Sequence, residues 1–527
     1  MMVSENGQYL QRKGVCLLSL FHSFSSLFGT LSRTEMTALI NTDEFENARR
    51  SRDPRFDGRF FIGVLTTGIY CRPICPVRMP RKENVQLYRS AASAFEAGFR
   101  PCLRCRPESS PGTPAWIGAP YKVSKALHLI ARGNLDRSSV DKLAEQLSIG
   151  PRQLSRLFQQ YVGASPIAVA QTQRLHFAKK LLDETNLPLS EVCFAAGFGS
   201  VRRFNAVFQS TYARSPKELR KGVRGTKQAR GEGICVRLSY RPPLDWKSML
   251  AYLEYRKIPG VEYIDLEQNA YHRTIAIDEC VGDICAQFSE TEHSVMLQIN
   301  FPDTRHLYHI VEKVRLLFDL KADSEEIERF FRNDPLLKKV VKKNPGTRVT
   351  GCWDGLEVTV RAILGQQVTV KAATTLAGRV AQRYGENYKG SSAHLTRVFP
   401  SAEKLANADL SGMGIVGQRI SAIKAIAAKI ATGEIVFDGV LETEEFVRRL
   451  CEIKGIGDWT AHYVALRVLS DPDAFPYSDL ILRRAATNNQ ETLTPKALLK
   501  LAQVWRPWRA YAVIFLWKHY QQIVRNK

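Results

Sequence analysis

The chain has 527 residues, 44% of them hydrophobic and 24% charged, a composition that suits a folded protein with room for three or four domains. Its formal charge is +23 and its pI near 9.6, which points to a polyanionic partner, nucleic acid first, with a merely charged surface as the plain alternative. There is no run of ~18 apolar residues to span a membrane, and the eleven cysteines do not make the even framework of a small disulfide-stapled secreted domain, so a reducing compartment and a metal site fit better.

Residues 15–28 (VCLLSLFHSFSSLF) follow Arg12-Lys13 like a weak signal core, but His22 and four serines interrupt it and no small-residue cleavage site follows. Residues 1–40 are therefore expected to be a poorly structured extension, with Met36 as an alternative start. Residues 41–108 are basic and carry Cys71-x3-Cys75 and Cys102-x2-Cys105. Two close pairs separated by a loop can set four thiolates around a tetrahedral ion, and zinc is the natural occupant; two disulfides are the competing reading. Arg72, Arg78, Arg81, Lys82, Arg100, Arg104 and Arg106 surround the ligands, a setting that would draw in a phosphate backbone and favour thiolate over thiol. Composition alone does not choose a reactive cysteine.

A Pro/Gly/Ser stretch, ESSPGTPAWIGAP (108–120), reads as a linker, and 121–221 as helical. In SSVDKLAEQLSIGPRQLSRLFQQYVG (138–163), Ser138 and Asp141 form a helix start, Ser148-Ile149-Gly150 a turn, and Pro151 the first position of a second helix. That second helix offers Arg152, Gln153, Ser155 and Arg156. A second unit, LSEVCFAAGFGSVRRFNAVFQSTYARSP (189–216), turns at Gly197-Phe198-Gly199, with Ser200 able to cap a helix bearing Arg202, Arg203 and Asn205. Such side chains read base edges or grip phosphates; a generic helical hairpin with a solvated basic face is the alternative. After a second linker, GVRGTKQARGEG (222–233), the run Val295, Leu297, Ile299, Phe301 alternates as a strand does, and from about 310 onward the pattern is helical. The segment Leu450–Ala461 ends one helix and begins another through Gly455-Ile456-Gly457, exposing N–H groups at a helix N-terminus, an anion site on weak evidence by itself.

Three resemblances extend this reading. Residues 63–108, with TTGIYCRP, ENV and AGFRPCLRC, resemble the zinc domain of Ada-type methyl-phosphotriester repair proteins. The resemblance implies Zn2+ on Cys71, Cys75, Cys102 and Cys105, and irreversible methyl transfer to Cys71. Alkylation there would remove negative charge from a DNA-facing surface and raise affinity for DNA. The paired units, with GFGSVRRFNAVFQ and SPKELR, are similar to the AraC-type regulator domain, each second helix entering a major groove; an activator of this kind would contact RNA polymerase. Residues 234–527, through VRAILGQQVTV (360–370), KGIGDWTAHYVALR (454–467), FPYSDLILRRA (475–485) and WRPWRAYAVIFLW (505–517), with RPPLDW and RLLFDL ahead of them, resemble the helix-hairpin-helix DNA glycosylases of the AlkA type.

That last resemblance implies a catalytic Asp479, a base pocket of Trp459, Tyr463 and Trp517, and DNA contacts from Gln366, Gln367, Gly455 and Gly457, beside Arg152, Arg156, Arg202 and Arg203 of the regulator domain. Without it, Asp479 reads as a helix cap and the aromatics as core. Trp459 stands where bifunctional relatives carry lysine, so no Schiff base or lyase activity is expected, and no cysteine follows Cys451 to hold an iron–sulfur cluster. Gln367 replaces the bulky apolar wedge of AlkA-type enzymes, which puts base range and flipping in question. No Pro-Cys-His-Arg segment of an O6-methylguanine transferase is present.

The expected architecture is multidomain and mainly α: a zinc α+β domain (41–108), a double helix-turn-helix domain (121–221), a small antiparallel sheet domain (234–305) and an all-α glycosylase domain (306–527). The expected function is excision of alkylated bases such as 3-methyladenine, coupled to methyl-phosphotriester sensing and transcriptional regulation. The chain is expected to act as a monomer on double-stranded DNA in the bacterial cytoplasm. The alternative is a methylation-activated regulator whose glycosylase half is inactive; a structural chromatin protein fits poorly, since it needs neither the thiolate set nor a placed aspartate.

Overall fold

The structure, a computed structural model, describes residues 42–111, 121–221 and 233–525, apart from 391, 438, 440 and 489. The whole of the expected N-terminal extension and most of both linkers thus lie outside the described residues; the first linker's start is described, with Pro107–Ser109 a 3-10 turn. Among the described residues no helix is long and apolar enough to cross a membrane.

The cysteine-rich segment is built on a four-stranded sheet in the order β3-β1-β2-β4. β1 (Phe61–Val64) pairs antiparallel with β2 (Ile69–Cys71) and β3 (Val85–Tyr88), and β4 (Arg100–Pro101) lies parallel to β2. A short helix, Ala91–Glu96, starts at a reciprocal Ser90/Ser93 capping box, which satisfies donors at the helix start that would otherwise lack partners.

The next segment holds two helix pairs, Val140–Gln146 with Pro151–Tyr161 and Leu189–Ala195 with Val201–Tyr212, joined by the 19-residue helix Pro166–Glu184. Both second helices bury their fourth and eighth residues, Leu154 and Phe158 in one and Phe204 and Phe208 in the other. Ser200 caps its helix by accepting from Arg203 N–H at 3.2 Å, as its position predicts. In the first unit the cap is Ser139, accepting from Lys142 N–H, one residue beyond the expected Ser138.

Five antiparallel strands follow, in the order β5-β9-β8-β7-β6. They are β5 (Ile234–Ser239), β6 (Glu262–Asp265), β7 (Ala270–Ile277), β8 (Cys280–Ser289) and β9 (Ser294–Asn300). Val295, Leu297 and Ile299 face one side, as the alternation predicts, and are buried. Their core does not stop at the sheet. One apolar cluster joins Leu175–Leu182, Phe204 and Phe208 of the regulator segment to Val236, Leu238 and Trp246, and on to Ile310, Val314 and Phe318. Polar contacts cross the same seam: Glu184 accepts from the Arg237 backbone N–H at 2.8 Å, and Tyr308 Oη donates to Gln173 at 3.3 Å. The rest of the chain is helical around two further cores, one behind the glycine hairpin and one around Trp505 and Phe515, except for a two-stranded antiparallel ribbon, Glu386–Asn387 with Arg397–Val398, that the expected all-α domain does not include.

Candidate metal centre and active site

The four cysteines are brought together by two neighbouring strands. Cys71 ends β2, and Cys102 follows β4 directly, with its N–H donating to the Tyr70 carbonyl at 3.0 Å. Each chain then folds back tightly: Cys75 N–H donates to the Arg72 carbonyl and Arg106 N–H to the Cys102 carbonyl, both at 3.1 Å. All four cysteines are buried, and their sulfurs lie within 4.8 Å of one another. A tetrahedral zinc with bonds of ~2.3 Å needs sulfur–sulfur edges of roughly 3.8 Å, so these soft donors fit the ion, and the set is a zinc site.

Of the seven basic residues around it, Arg78, Arg81, Lys82, Arg100 and Arg104 are exposed. Arg72 instead pairs with buried Asp57 and donates to the Cys105 carbonyl, while Arg106 pairs with Asp183 at 3.4 Å. Tyr70, next to Cys71, hydrogen-bonds His176 Nε2 at 2.8 Å, and burial pushes that imidazole down to about 4. The metal centre is thus fastened to the long helix Pro166–Glu184 on both sides.

In the regulator segment Arg152 and Arg156 lie exposed on one second helix and Arg202 and Arg203 on the other. Their apolar neighbours point inward, which leaves each helix with a basic outer face.

The third site forms around Asp479. Helix Thr443–Cys451 turns through Gly455, whose φ of +95° favours glycine, into helix Asp458–Val468. Trp459, Tyr463 and Arg467 follow one another along that helix at one-turn spacing. Asp479 caps helix Leu480–Ala485, its Oδ1 accepting from Leu482 N–H at 2.9 Å. Its Oδ2 accepts from the Trp459 indole N–H at 2.7 Å, and the Trp517 indole N–H reaches Oδ1 at 3.4 Å. Capping and site formation are therefore two uses of one carboxylate, which is only 7% exposed.

Trp459 stacks on Tyr463 with ring centroids 5.4 Å apart and 15° between planes, and Tyr463 approaches Trp517 at 6.4 Å. The three expected pocket aromatics are thus adjacent. Tyr252, from helix Trp246–Glu254 beside the sheet, joins them through a 3.0 Å hydroxyl–hydroxyl bond to Tyr463. The fully buried Arg467 lies over Tyr252, Tyr463 and Trp517, with its guanidinium carbon 4.5, 5.4 and 5.4 Å from their centroids. Burial alone would raise the Tyr463 hydroxyl, but the charges of Arg467 and Arg256 and the Tyr252 bond bring it down to about 8.

Asp458, which no motif singled out, holds the loop before Asp479. It accepts from Tyr477 Oη at 2.8 Å and Ser478 Oγ at 2.6 Å and lies 3.5 Å from His462 Nε2. Gln366 uses its amide inside the protein, donating to the Gly455 carbonyl at 2.9 Å and Thr460 Oγ1 at 3.1 Å. It braces the hairpin. Gln367 is exposed at the loop tip with φ +54°, next to the exposed apolar Val368. Gly457 is the N-cap of the second hairpin helix.

Four family models match the chain in sequence: the metal binding domain of Ada over 44–108, a helix-turn-helix domain over 143–222, the AlkA N-terminal domain over 235–354, and the HhH-GPD superfamily of base excision DNA repair proteins over 360–508. The chain is 40% identical over 481 residues to a Mycobacterium tuberculosis protein named probable bifunctional transcriptional activator/DNA repair enzyme AlkA, covering 90% of this chain and 96% of that one. It is 30% identical over 283 residues to Escherichia coli DNA-3-methyladenine glycosylase 2, covering 53% of this chain and 95% of the relative. With the Escherichia coli bifunctional transcriptional activator/DNA repair enzyme Ada it shares 32% identity over 187 residues, 36% of this chain and 49% of that protein. The chain therefore belongs to the family of bifunctional transcriptional activator/DNA repair enzymes in which an Ada-type metal-binding and helix-turn-helix half is fused to an AlkA-type glycosylase half.

Proposed function

We propose that the chain excises alkylated purines such as 3-methyladenine from duplex DNA with Asp479 as its catalytic carboxylate, and that its N-terminal half accepts methyl groups from DNA phosphotriesters on Cys71 and regulates transcription. The observation that carries the first part is the carboxylate itself. Asp479 is nearly buried, oriented by one backbone N–H and by indole N–H groups, and flanked by Trp459 and Trp517. Excision breaks the bond between the sugar C1′ and the base nitrogen. The base leaves with the electron pair, and the sugar becomes oxocarbenium-like. A fixed anion stabilises that charge and can take the proton of the water that then bonds C1′. An alkylated purine is already cationic and leaves without a strong acid, and stacked aromatics suit it, at ~0.5–2 kcal/mol per cation–π contact. The base must leave the helix stack to reach them.

At the metal centre the chemistry is a displacement. The Cys71 thiolate attacks the methyl carbon of the neutral triester, the carbon–oxygen bond breaks, and the phosphodiester departs with the electron pair and its restored charge. Zinc held by Cys71, Cys75, Cys102 and Cys105 would keep the thiolate deprotonated at neutral pH. The exposed arginines near the cysteines, and Arg152, Arg156, Arg202 and Arg203, suit the DNA backbone and groove. In its regulatory role the protein acts as a monomer on double-stranded DNA and contacts RNA polymerase in the bacterial cytoplasm.

The deciding experiment is release of 3-methyladenine from methylated duplex DNA by the wild type and by Asp479→Asn, a substitution that keeps a helix-capping oxygen. Release abolished by the substitution supports the reading. A folded, DNA-binding wild type that releases nothing would leave a regulator with an inactive glycosylase half.

A further inference from the structure

Arg467 is 2% exposed and has no carboxylate partner among the described residues; its guanidinium lies over the rings of Tyr252, Tyr463 and Trp517. Its Nη1 donates to the Thr350 carbonyl at 2.7 Å, and a side-chain hydrogen bond joins it to Tyr463. A buried cation without a carboxylate partner is costly, and one set beside a carboxylate and aromatic cluster is a candidate functional group. Here it rests on the rings of Tyr463 and Trp517, two of the aromatics proposed to receive the base, in the cluster that also holds Asp479. From Trp459, hydrogen-bonded to Asp479, to Arg467 is eight residues along one helix, a rise of about 12 Å. The pocket thus has a fixed anion at one end and a fixed cation at the other, with the aromatic rings between them.

We propose that Arg467 is a positioning residue for the electric field of the pocket: acting through the Tyr463 and Trp517 rings, it favours movement of the glycosidic electron pair from the sugar toward the base. This rests on the reading of Asp479 and the aromatics given above. As the C1′–nitrogen bond breaks, electron density arrives on the base, at the Arg467 end, and positive charge develops on the sugar, at the Asp479 end. The field lowers the energy of both changes at once. The same cation opposes ground-state binding of a base that is still positive, so it trades affinity for rate, and the pocket is not a simple cation trap.

Two measurements test this. On the Asp479→Asn background, binding is compared for duplexes carrying 7-methylguanine, which is cationic, and 7-deaza-7-methylguanine, its neutral isostere. Adding Arg467→Met should raise the preference for the cationic duplex about tenfold, and adding Arg467→Lys should leave it near its starting value. In the otherwise wild-type protein, Arg467→Met should lower kcat for 3-methyladenine release about tenfold with unchanged or lower KM, and Arg467→Lys should restore most of the rate. An unchanged binding preference overturns the proposal, as does a lysine variant that falls as far as methionine in a protein that still binds DNA. If the wild type releases no base, the Asp479 reading fails on its own, and the paired-duplex binding still decides the role of Arg467.

Discussion

Asp458→Asn removes a charge from the group that ties the Asp479 loop to the hairpin. The carboxylate receives two hydroxyl bonds, from Tyr477 and Ser478. An asparagine can still accept one and donate to the other, so what is lost is the charge assistance, about 1 kcal/mol per bond. A second route gives a similar size. Burial alone would raise this carboxyl, but the bonds from His462, Ser478 and Tyr477 hold it down to about 2. Nearly two units below the usual value would be worth about 2.5 kcal/mol; with the side chain 42% exposed, screening cuts this to ~1 kcal/mol. Because the folded group is the stronger acid, this stabilisation is present above about pH 4 and disappears as pH falls toward 2. The variant should therefore unfold about 1–2 kcal/mol more easily than wild type at pH 7, with a smaller gap at pH 3, by urea titration. The kinetic consequence is larger. A shift of the 476–479 loop by even 1 Å moves Asp479 off the reacting carbon, so kcat for base release should fall about 10- to 100-fold with DNA affinity unchanged. A variant that loses the stability but keeps wild-type kcat would show that Asp458 braces the fold and does not position the carboxylate.

Two further outcomes follow from the same geometry. Tyr463 should ionise with a midpoint near 8, because Arg467, Arg256 and Arg361 and the Tyr252 hydroxyl all favour its phenolate; an ultraviolet titration should show a tyrosinate step there that Tyr463→Phe removes, and a step that survives would belong to another tyrosine. Zinc chelation should unfold the segment around β1–β4 at temperatures where the glycosylase half stays folded, and should abolish methyl transfer but leave base release intact, by mass analysis of Cys71 and by release assay; loss of both activities would show that the two halves unfold together.

What the sequence made legible was whatever is local. The two regulator units announce themselves through their helix starts and turn glycines, and the structure moves only one cap, from Ser138 to Ser139. The cysteine spacing is enough to close a four-sulfur set because β2 and β4 are hydrogen-bonded neighbours. The candidate pocket aromatics were legible because Trp459 and Tyr463 stand one turn apart on a single helix and Trp517 lies in a family motif on another. Tyr252 was not: it lies 211 residues from its partner Tyr463, on a helix of which only the first residue, Trp246, belongs to a motif. Arg467 closes the KGIGDWTAHYVALR stretch, yet its burial against three rings depends on that distant helix. Asp458 and Gln366 were hidden for a different reason. Gln366 read as a DNA contact and Asp458 carried no role, and only coordinates reveal that their bonds run inward.

The apolar cluster shared by helix Pro166–Glu184, the five-stranded sheet and helix Leu307–Leu317 bears on how a fusion of two ancestral proteins is maintained. A chain nicked between residues 222 and 233 would not fall into two independent parts, since each fragment would have to expose side chains such as Phe204, Val236 and Phe318 to water. Such fragments should remain associated and copurify. A gene split at that point would yield a regulator with a sticky face and an enzyme missing part of its core. The two halves that the family models separate are therefore one folding unit, held by a core that neither could close alone.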